Sequence, residues 1–182
     1  MNWNCRSGIG RAQGFERVEI WGRGVDADRY HPRRRARAWR EQLTDGHPDA
    51  PLLIYAGRLA LEKRVDVLRP VLDEVPAVRL AILGDGPERA HLEELFAGTP
   101  TVFTGRLDGD DLADAYAAGD IFTVPGENET FGNVVLEAMA SGLPCLVAAH
   151  SGLRDRVRNG VDGFQFEPGN SAQLATLVRW LL

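Results

Sequence analysis

The chain has 182 residues, a net charge of −5, 44% hydrophobic residues and 26% charged ones. That composition excludes a disordered chain, a collagen-like repeat or a disulfide scaffold, and the length suits one domain able to bury well over half of its unfolded surface. The acidic balance argues against a dedicated nucleic-acid binder, and no stretch reaches the roughly 20 apolar residues of a membrane span.

The first 50 residues read as a lead-in and linker segment, and residues 51–182 as the domain proper. Residues 1–50 carry ten Arg against seven acids, whereas residues 51–182 carry ten Arg and one Lys against nineteen acids. Residues 1–15 hold no apolar run, so no signal peptide is expected. Val18-Glu19-Ile20-Trp21 alternates as a short strand would. The Arg-rich stretch Arg33–Arg40 is expected to be a short exposed helix, and residues 46–51 a linker.

From Leu52 onward apolar runs alternate with helical spacing. Strands are expected at Leu52–Ala56, Val78–Leu83, Thr101–Thr104, Ile121–Val124, Pro144–Ala148 and Gly163–Phe166. Helices are expected at Lys63–Leu72, Pro87–Phe96 (with Pro at its first position), Asp108–Ala118 (closed by Gly119), Phe131–Ser141, Leu153–Arg158 and Ser171–Leu182. Strands that are apolar throughout are buried on both faces. The fold class is therefore α/β, a Rossmann-like parallel sheet of about six strands with helices on both faces.

In such a sheet ligands bind beyond the carboxyl ends of the strands, so the loops after the strands carry the chemistry. The first is Gly57-Arg58-Leu59-Ala60-Leu61-Glu62-Lys63, with two cations five residues apart. A planar guanidinium and a mobile ammonium suit a diphosphate, although solvated surface charges would look the same. Lys63 is the only lysine in the chain, which favours function.

The fourth strand leads into Pro125–Asn133 and then an apolar helix interrupted by Glu137. A buried carboxylate needs partners or becomes protonated. Thr130, Asn133, Glu137 and Ser141 recur at spacings of three and four, one face of a helix. A vicinal diol such as a ribose would satisfy Glu137, and so would backbone amides. Glu129 could accept bonds from sugar hydroxyls or simply favour the helix dipole. The amides of Phe131, Gly132 and Asn133 at the helix start form an anion site.

Gly84-Asp85-Gly86-Pro87 lacks the third glycine of a dinucleotide motif and reads as a turn. Asp108-Gly109-Asp110-Asp111 reads as helix-start acids rather than a metal cluster. The histidines at 31, 47, 91 and 150 show no ligand spacing, and Cys5 and Cys145 read as free thiols of a reducing compartment.

The run Glu129-Thr130-Phe131-Gly132-Asn133-Val134-Val135-Leu136-Glu137, followed by Ala138–Pro144, resembles the paired-glutamate motif of retaining glycosyltransferases, in particular the C-terminal, donor-binding half of glycosyltransferase family 4. Ala56–Lys63, Leu83–Pro87 and Gly160–Phe164 match it as well, and Gly24-Val25-Asp26 with His31-Pro32 matches the segment joining its two domains. Within the family, Phe96–Leu107 is most similar to the sulfolipid synthases, while Trp21–Asp26 fits these and some mannosyltransferases.

The resemblance implies one half of a GT-B fold and a transferase acting on a nucleotide-sugar, a UDP-sugar favoured, with a lipid or glycan acceptor. It implies that Arg58 and Lys63 hold the donor diphosphate, that Glu129 contacts the sugar and Glu137 the ribose, and that the backbone at Arg106 and Leu107 meets the nucleobase. Gly57, Thr130, Phe131, Gly132 and Asn133 complete the donor site. Catalysis would be chiefly charge stabilisation on the departing diphosphate, with no metal and no other cofactor. The family's N-terminal acceptor domain has no counterpart in residues 1–182, so these residues are expected to bind donor and transfer nothing alone. The complete enzyme is expected in the cytoplasm, peripheral at the inner face of the membrane. Two alternatives stay open: an epimerase-like domain using the same site, and a catalytically incomplete binding module.

Overall fold

In the computed structural model, which describes residues 24–126, 132–149, 153 and 156–182, the six apolar runs form one sheet. Its strands are β1 (Leu52–Ala56), β2 (Arg79–Leu83), β3 (Thr101–Gly105), β4 (Ile121–Val124), β5 (Cys145–Ala148) and β6 (Gly163–Phe166). They are ordered β3-β2-β1-β4-β5-β6 and every pairing is parallel. The chain moves outward from β1 to β3, then returns to place β4 on the other side of β1. The crevice of such a sheet opens at this β1/β4 boundary, beyond the strand carboxyl ends.

Successive side chains of a strand point to opposite faces, and β1 feeds two cores in this way. Leu53 and Tyr55 join one cluster, with Leu68, Val71 and Leu72 of α2 (Leu68–Glu74), Leu92 of α3 (Arg89–Leu95) and Leu174, Ala175 and Val178 of α6 (Ser171–Leu181). Leu52, Ile54 and Ala56 join the other, with Leu43 of α1 (Arg37–Leu43), Ala115, Tyr116 and Ala118 of α4 (Gly109–Ala118) and Val135 and Ala138 of α5 (Asn133–Ala140).

Four helices differ from their sequence expectations. The run expected to be one helix over Lys63–Leu72 is two 3₁₀ turns, Leu61–Lys63 and Val65–Val67, separated by Arg64 in the left-handed region (φ 49°) before α2 begins. Pro87 lies in the turn before α3, not at its first position. Gly119 closes α4 with an ordinary φ of −71°. It is needed because a Cβ there would lie 2.5 Å from Ile54 Cδ1. The helix α5 is less enclosed than its apolar sequence suggests, with only Val135 and Ala138 buried.

The expected helix over Leu153–Arg158 falls partly outside the described residues, and the strand expected at Val18–Trp21 and Cys5 fall entirely outside them. Cys145 is a buried free thiol, which burial pushes up to about 12.

The Arg-rich stretch is not an exposed helix over 33–40. Pro32–Arg34 forms a 3₁₀ turn capped by His31 Nδ1, and α1 follows, with Leu43 buried and Arg40 only 8% exposed. A guanidinium has five donors and is buried only where they are met. Arg40 donates to the carbonyls of Pro48, Ala50 and Ala118 and to Asp120 Oδ2 at 3.0 Å. Asp120 also accepts from Arg35 at 2.6 Å and from the Leu52 amide at 2.8 Å. This group ties the leading segment to the amino ends of β1 and β4. Arg34 adds a bond of 2.6 Å to Asp114, and Arg29 pairs with Asp110 at 3.3 Å. Asp110 and Asp114 of α4 are thus partners for arginines, and Asp108, just before the helix, makes no side-chain cap and pairs with Arg106 at 3.0 Å.

Candidate donor-binding site

The loop after β1 is fixed by backbone bonds to the loop after β2. The Gly57 amide donates to the Leu83 carbonyl, the Leu59 amide to that of Asp85 and the Glu88 amide to that of Leu59, at 2.9, 2.9 and 3.1 Å. Two glycines permit this approach: a Cβ on Gly84 would lie 1.9 Å from Gly57 O, and one on Gly86 would lie 2.2 Å from Leu59 O. From below, the buried Tyr55 donates its hydroxyl to the Arg58 carbonyl at 3.0 Å. A rigid backbone therefore presents Arg58, whose side chain is 64% exposed and pairs with Glu62 at 2.6 Å. The Glu62 carboxyl is held below the usual carboxylate range by its own backbone N–H and by Arg58.

Just before the left-handed turn at Arg64, Lys63 abuts the loop after β4. A Cβ on Gly126 would lie 2.9 Å from Lys63 Cα, so the lysine backbone rests on the residues leading to 127–131. Glu129, Thr130 and Phe131 lie outside the described residues. Gly132 resumes the chain in the left-handed region (φ 62°) as the residue capping α5.

Glu137 sits one turn into α5, half-buried, and Tyr116 of α4 donates its hydroxyl to Glu137 Oε2 at 3.1 Å. The ring of Tyr30, in the leading segment, meets the Tyr116 ring edge-on at 5.8 Å. Burial raises the carboxyl above its ordinary range, and the two phenols only partly offset it. The Tyr116 phenol, fully buried and beside that carboxylate, is itself pushed well up.

These elements enclose a cavity of about 570 Å³ whose walls include Gly57 and Arg58 after β1, Gly84 and Gly86 after β2, Arg106 and Leu107 after β3, and Tyr116, Val134 and Glu137. It lies where a parallel sheet of this order places its ligand, and its volume suits a small molecule. Somewhat larger, at about 620 Å³, is a cavity at the opposite end of the sheet, lined by Arg35, Arg37, Arg40 and Asp120. Its charges already pair with one another and with carbonyls, and it lies away from the strand carboxyl ends.

Of the residues singled out in the sequence, the cavity gathers Gly57, Arg58, Arg106, Leu107 and Glu137. Lys63 borders the β1/β4 crevice without lining that cavity. The polar stripe of α5 is not one surface. Glu137 faces the cavity, Asn133 is exposed outside it, and Ser141 is buried with its Oγ unpartnered among the described residues. Tyr30 and Tyr116 escaped the sequence reading. The signal for Tyr116 is a lone phenol on the Ala-rich buried side of α4, since a buried tyrosine hydroxyl requires a partner. Among the described residues no group of His, Cys, Asp and Glu is arranged to hold a metal ion, and no helix is long and apolar enough to cross a membrane.

Comparison with known proteins gives this geometry a family. A profile described as Glycosyl transferases group 1 matches residues 50–182. The chain is 44% identical over 174 residues to the sulfoquinovosyl transferase SQD2 of Arabidopsis thaliana, covering 94% of this chain and 34% of that protein. It is 47% identical over 148 residues to a GDP-mannose-dependent alpha-mannosyltransferase of Mycobacterium tuberculosis, covering 80% of this chain and 37% of that protein. The chain thus spans about a third of the length of these curated relatives. Among solved structures, HepE of Anabaena, crystallised with UDP and glucose, superposes with a TM-score of 0.75 at 26% identity, over 86% of this chain and 45% of HepE. The Rossmann-like expectation holds, and the structural neighbours are GT-B glycosyltransferases. With a profile spanning the whole sheet and relatives at this identity, the chain belongs to the glycosyl transferases group 1 family.

Proposed function

We propose that this chain is the C-terminal, donor-binding domain of a retaining glycosyltransferase that takes a sugar from a nucleotide-sugar, a UDP-sugar favoured, and passes it to a lipid or glycan acceptor. The observation that carries this reading is the cavity beyond the carboxyl ends of β1, β2 and β3, flanked by α4 and α5, with the Arg58 guanidinium on one wall and the half-buried Glu137 carboxylate on another. A guanidinium forks onto phosphate oxygens, and a carboxylate accepts two hydroxyls at once. Arg106 and Leu107, on the remaining wall, would border the base.

In this reading Arg58 and Lys63 neutralise charge developing on the departing diphosphate, the largest contribution available to a site of this kind. Glu137 fixes the ribose, and Glu129 meets the sugar. The cations are supplied by side chains, so donor binding should survive chelation by EDTA. HepE, crystallised with UDP and glucose, supports a uridine nucleotide, whereas the mycobacterial relative is named for GDP-mannose.

Calorimetric titration of the folded chain with UDP, GDP and ADP tests the proposal. Binding of UDP, with 2′-deoxy-UDP weaker, is expected. Tighter binding of GDP would change the base and keep the domain's role. Binding of none of the three would overturn the reading. Retention is tested separately, by the anomeric configuration of the product formed by the full-length enzyme.

A further inference from the structure

A carboxylate offers about four lone-pair sites. Glu137 leaves α5 toward the cavity, and the hydroxyl of Tyr116 occupies one of its sites from α4 at 3.1 Å. The ring of Tyr30, from the leading segment, meets the Tyr116 ring edge-on at 5.8 Å. Tyr116 is held in turn against Phe122 of β4, with centroids 5.5 Å apart. A phenol with little freedom is thus aimed at the carboxylate. About three acceptor sites remain, enough for the two hydroxyls of a vicinal diol.

We propose that Tyr116, braced edge-on by Tyr30, is a positioning residue that holds the Glu137 carboxylate with its remaining acceptor sites toward the cavity, so that the segment before the domain supports the ribose subsite. The inference rests on reading the cavity as a nucleotide-sugar site. Tyr30 lies outside residues 50–182, the part of the chain that the family profile matches. The titratable groups acting directly on Glu137 are the two phenols; Cys145 acts on Tyr116, and Arg29 and Asp26 act on Tyr30.

The test uses Tyr116→Phe, which removes the hydroxyl and keeps the ring, and Tyr30→Ala, which removes the ring that braces Tyr116. The first readout needs no ligand: the Glu137 carboxyl is titrated by NMR in the chain with labelled glutamate, its signal assigned with Glu137→Gln. Either substitution is expected to raise the midpoint, because burial is then less opposed. The second readout is affinity for UDP, expected to weaken about tenfold in Tyr116→Phe, the scale of one hydrogen bond to a charged group. In a Glu137→Gln background the same substitution should change affinity little. Unchanged Glu137 midpoints in both variants would overturn the proposal. If Tyr116→Phe fails to fold, Tyr30→Ala, at a half-buried position, decides it. Wild-type protein that binds no nucleotide would defeat the functional reading, while the NMR titration still decides whether the braced Tyr116 holds the carboxylate.

Discussion

Gly84 passes so close to Gly57 that a Cβ on it would stand 1.9 Å from the Gly57 carbonyl oxygen. The two loops cannot both keep their places around any larger residue, because the nearest atoms are backbone. Gly84→Ala is therefore expected to displace the Gly57–Leu59 loop and with it Arg58. Overpacking of this kind costs about 1–3 kcal/mol, readable in urea denaturation. Affinity for UDP should fall by more than the loss of stability alone explains, since enough folded protein remains to titrate. An unchanged Kd would show that this close contact does not set the site.

Arg58 emerges from that loop, so its side chain can be removed without disturbing the fold. Arg58→Ala is expected to weaken UDP binding by about tenfold or more, in line with the loss of a charge-assisted bond, and to leave uridine binding unchanged. Arg58→Lys should recover only part of the loss, because an ammonium does not reproduce the planar fork. Equal losses for UDP and uridine would remove Arg58 from the diphosphate.

Glu137 sets a pH dependence. Burial raises its carboxyl above the ordinary range, and only the ionised form accepts from a diol with all its sites. Affinity for UDP should thus fall as pH drops through that raised value, at a higher pH than an exposed glutamate would give. The unliganded protein shows the converse. Between the unfolded and folded values the native state holds the extra proton, so stability declines as pH rises through this window. Glu137→Gln should abolish both slopes and make the empty domain somewhat more stable at neutral pH. Calorimetry and thermal melts across pH 4–8 check both.

Asp120 has the opposite sign. Burial alone would raise its carboxyl, but bonds from Arg35, the Leu52 amide and Arg40 together hold it below the ordinary range. The stabilisation this gives is complete above the unfolded value of about 3.9 and is lost as pH falls through the depressed folded value. Asp120→Asn should cost about 3 kcal/mol at neutral pH, because Arg40 is left buried without its counter-charge. The gap between variant and wild type should narrow in acid. Urea midpoints at pH 7 and pH 3 give the comparison.

Cys145 is fully buried, and its thiol is pushed up to about 12. Alkylation with iodoacetamide at pH 8 is expected to spare Cys145 in the native protein and to modify it once urea unfolds the chain, as peptide mapping would show.

The sheet was legible because its four inner strands, β2, β1, β4 and β5, are short apolar runs buried almost throughout. The edge strands β3 and β6 are partly polar and only half-buried, and were found by their place in the strand–helix alternation. Arg58 and Glu137 were legible through position, one just past a strand and the other interrupting an apolar helix. The features missed depend on distant partners. Arg33–Arg40 reads as a solvated helix because no local pattern reveals that Pro48, Ala50, Ala118 and Asp120 surround Arg40. The helical spacing over Lys63–Leu72 is real, but the chain turns left-handed at Arg64, a break that no local pattern announces. Among its described residues, Asn133, Glu137 and Ser141, the stripe on α5 divides because Glu137 faces the cavity and the other two do not.

The hold of Arg35 and Arg40 on Asp120 decides where this domain can be grafted. The family profile opens at residue 50, an inviting seam for joining it to a foreign acceptor half. A chimera stitched there would strip the two guanidinium groups from the root of β4 and discard Tyr30 as well. The transplantable unit begins upstream of Asp26, and hybrids that carry their own residues 26–50 are the ones expected to fold and to grip a donor.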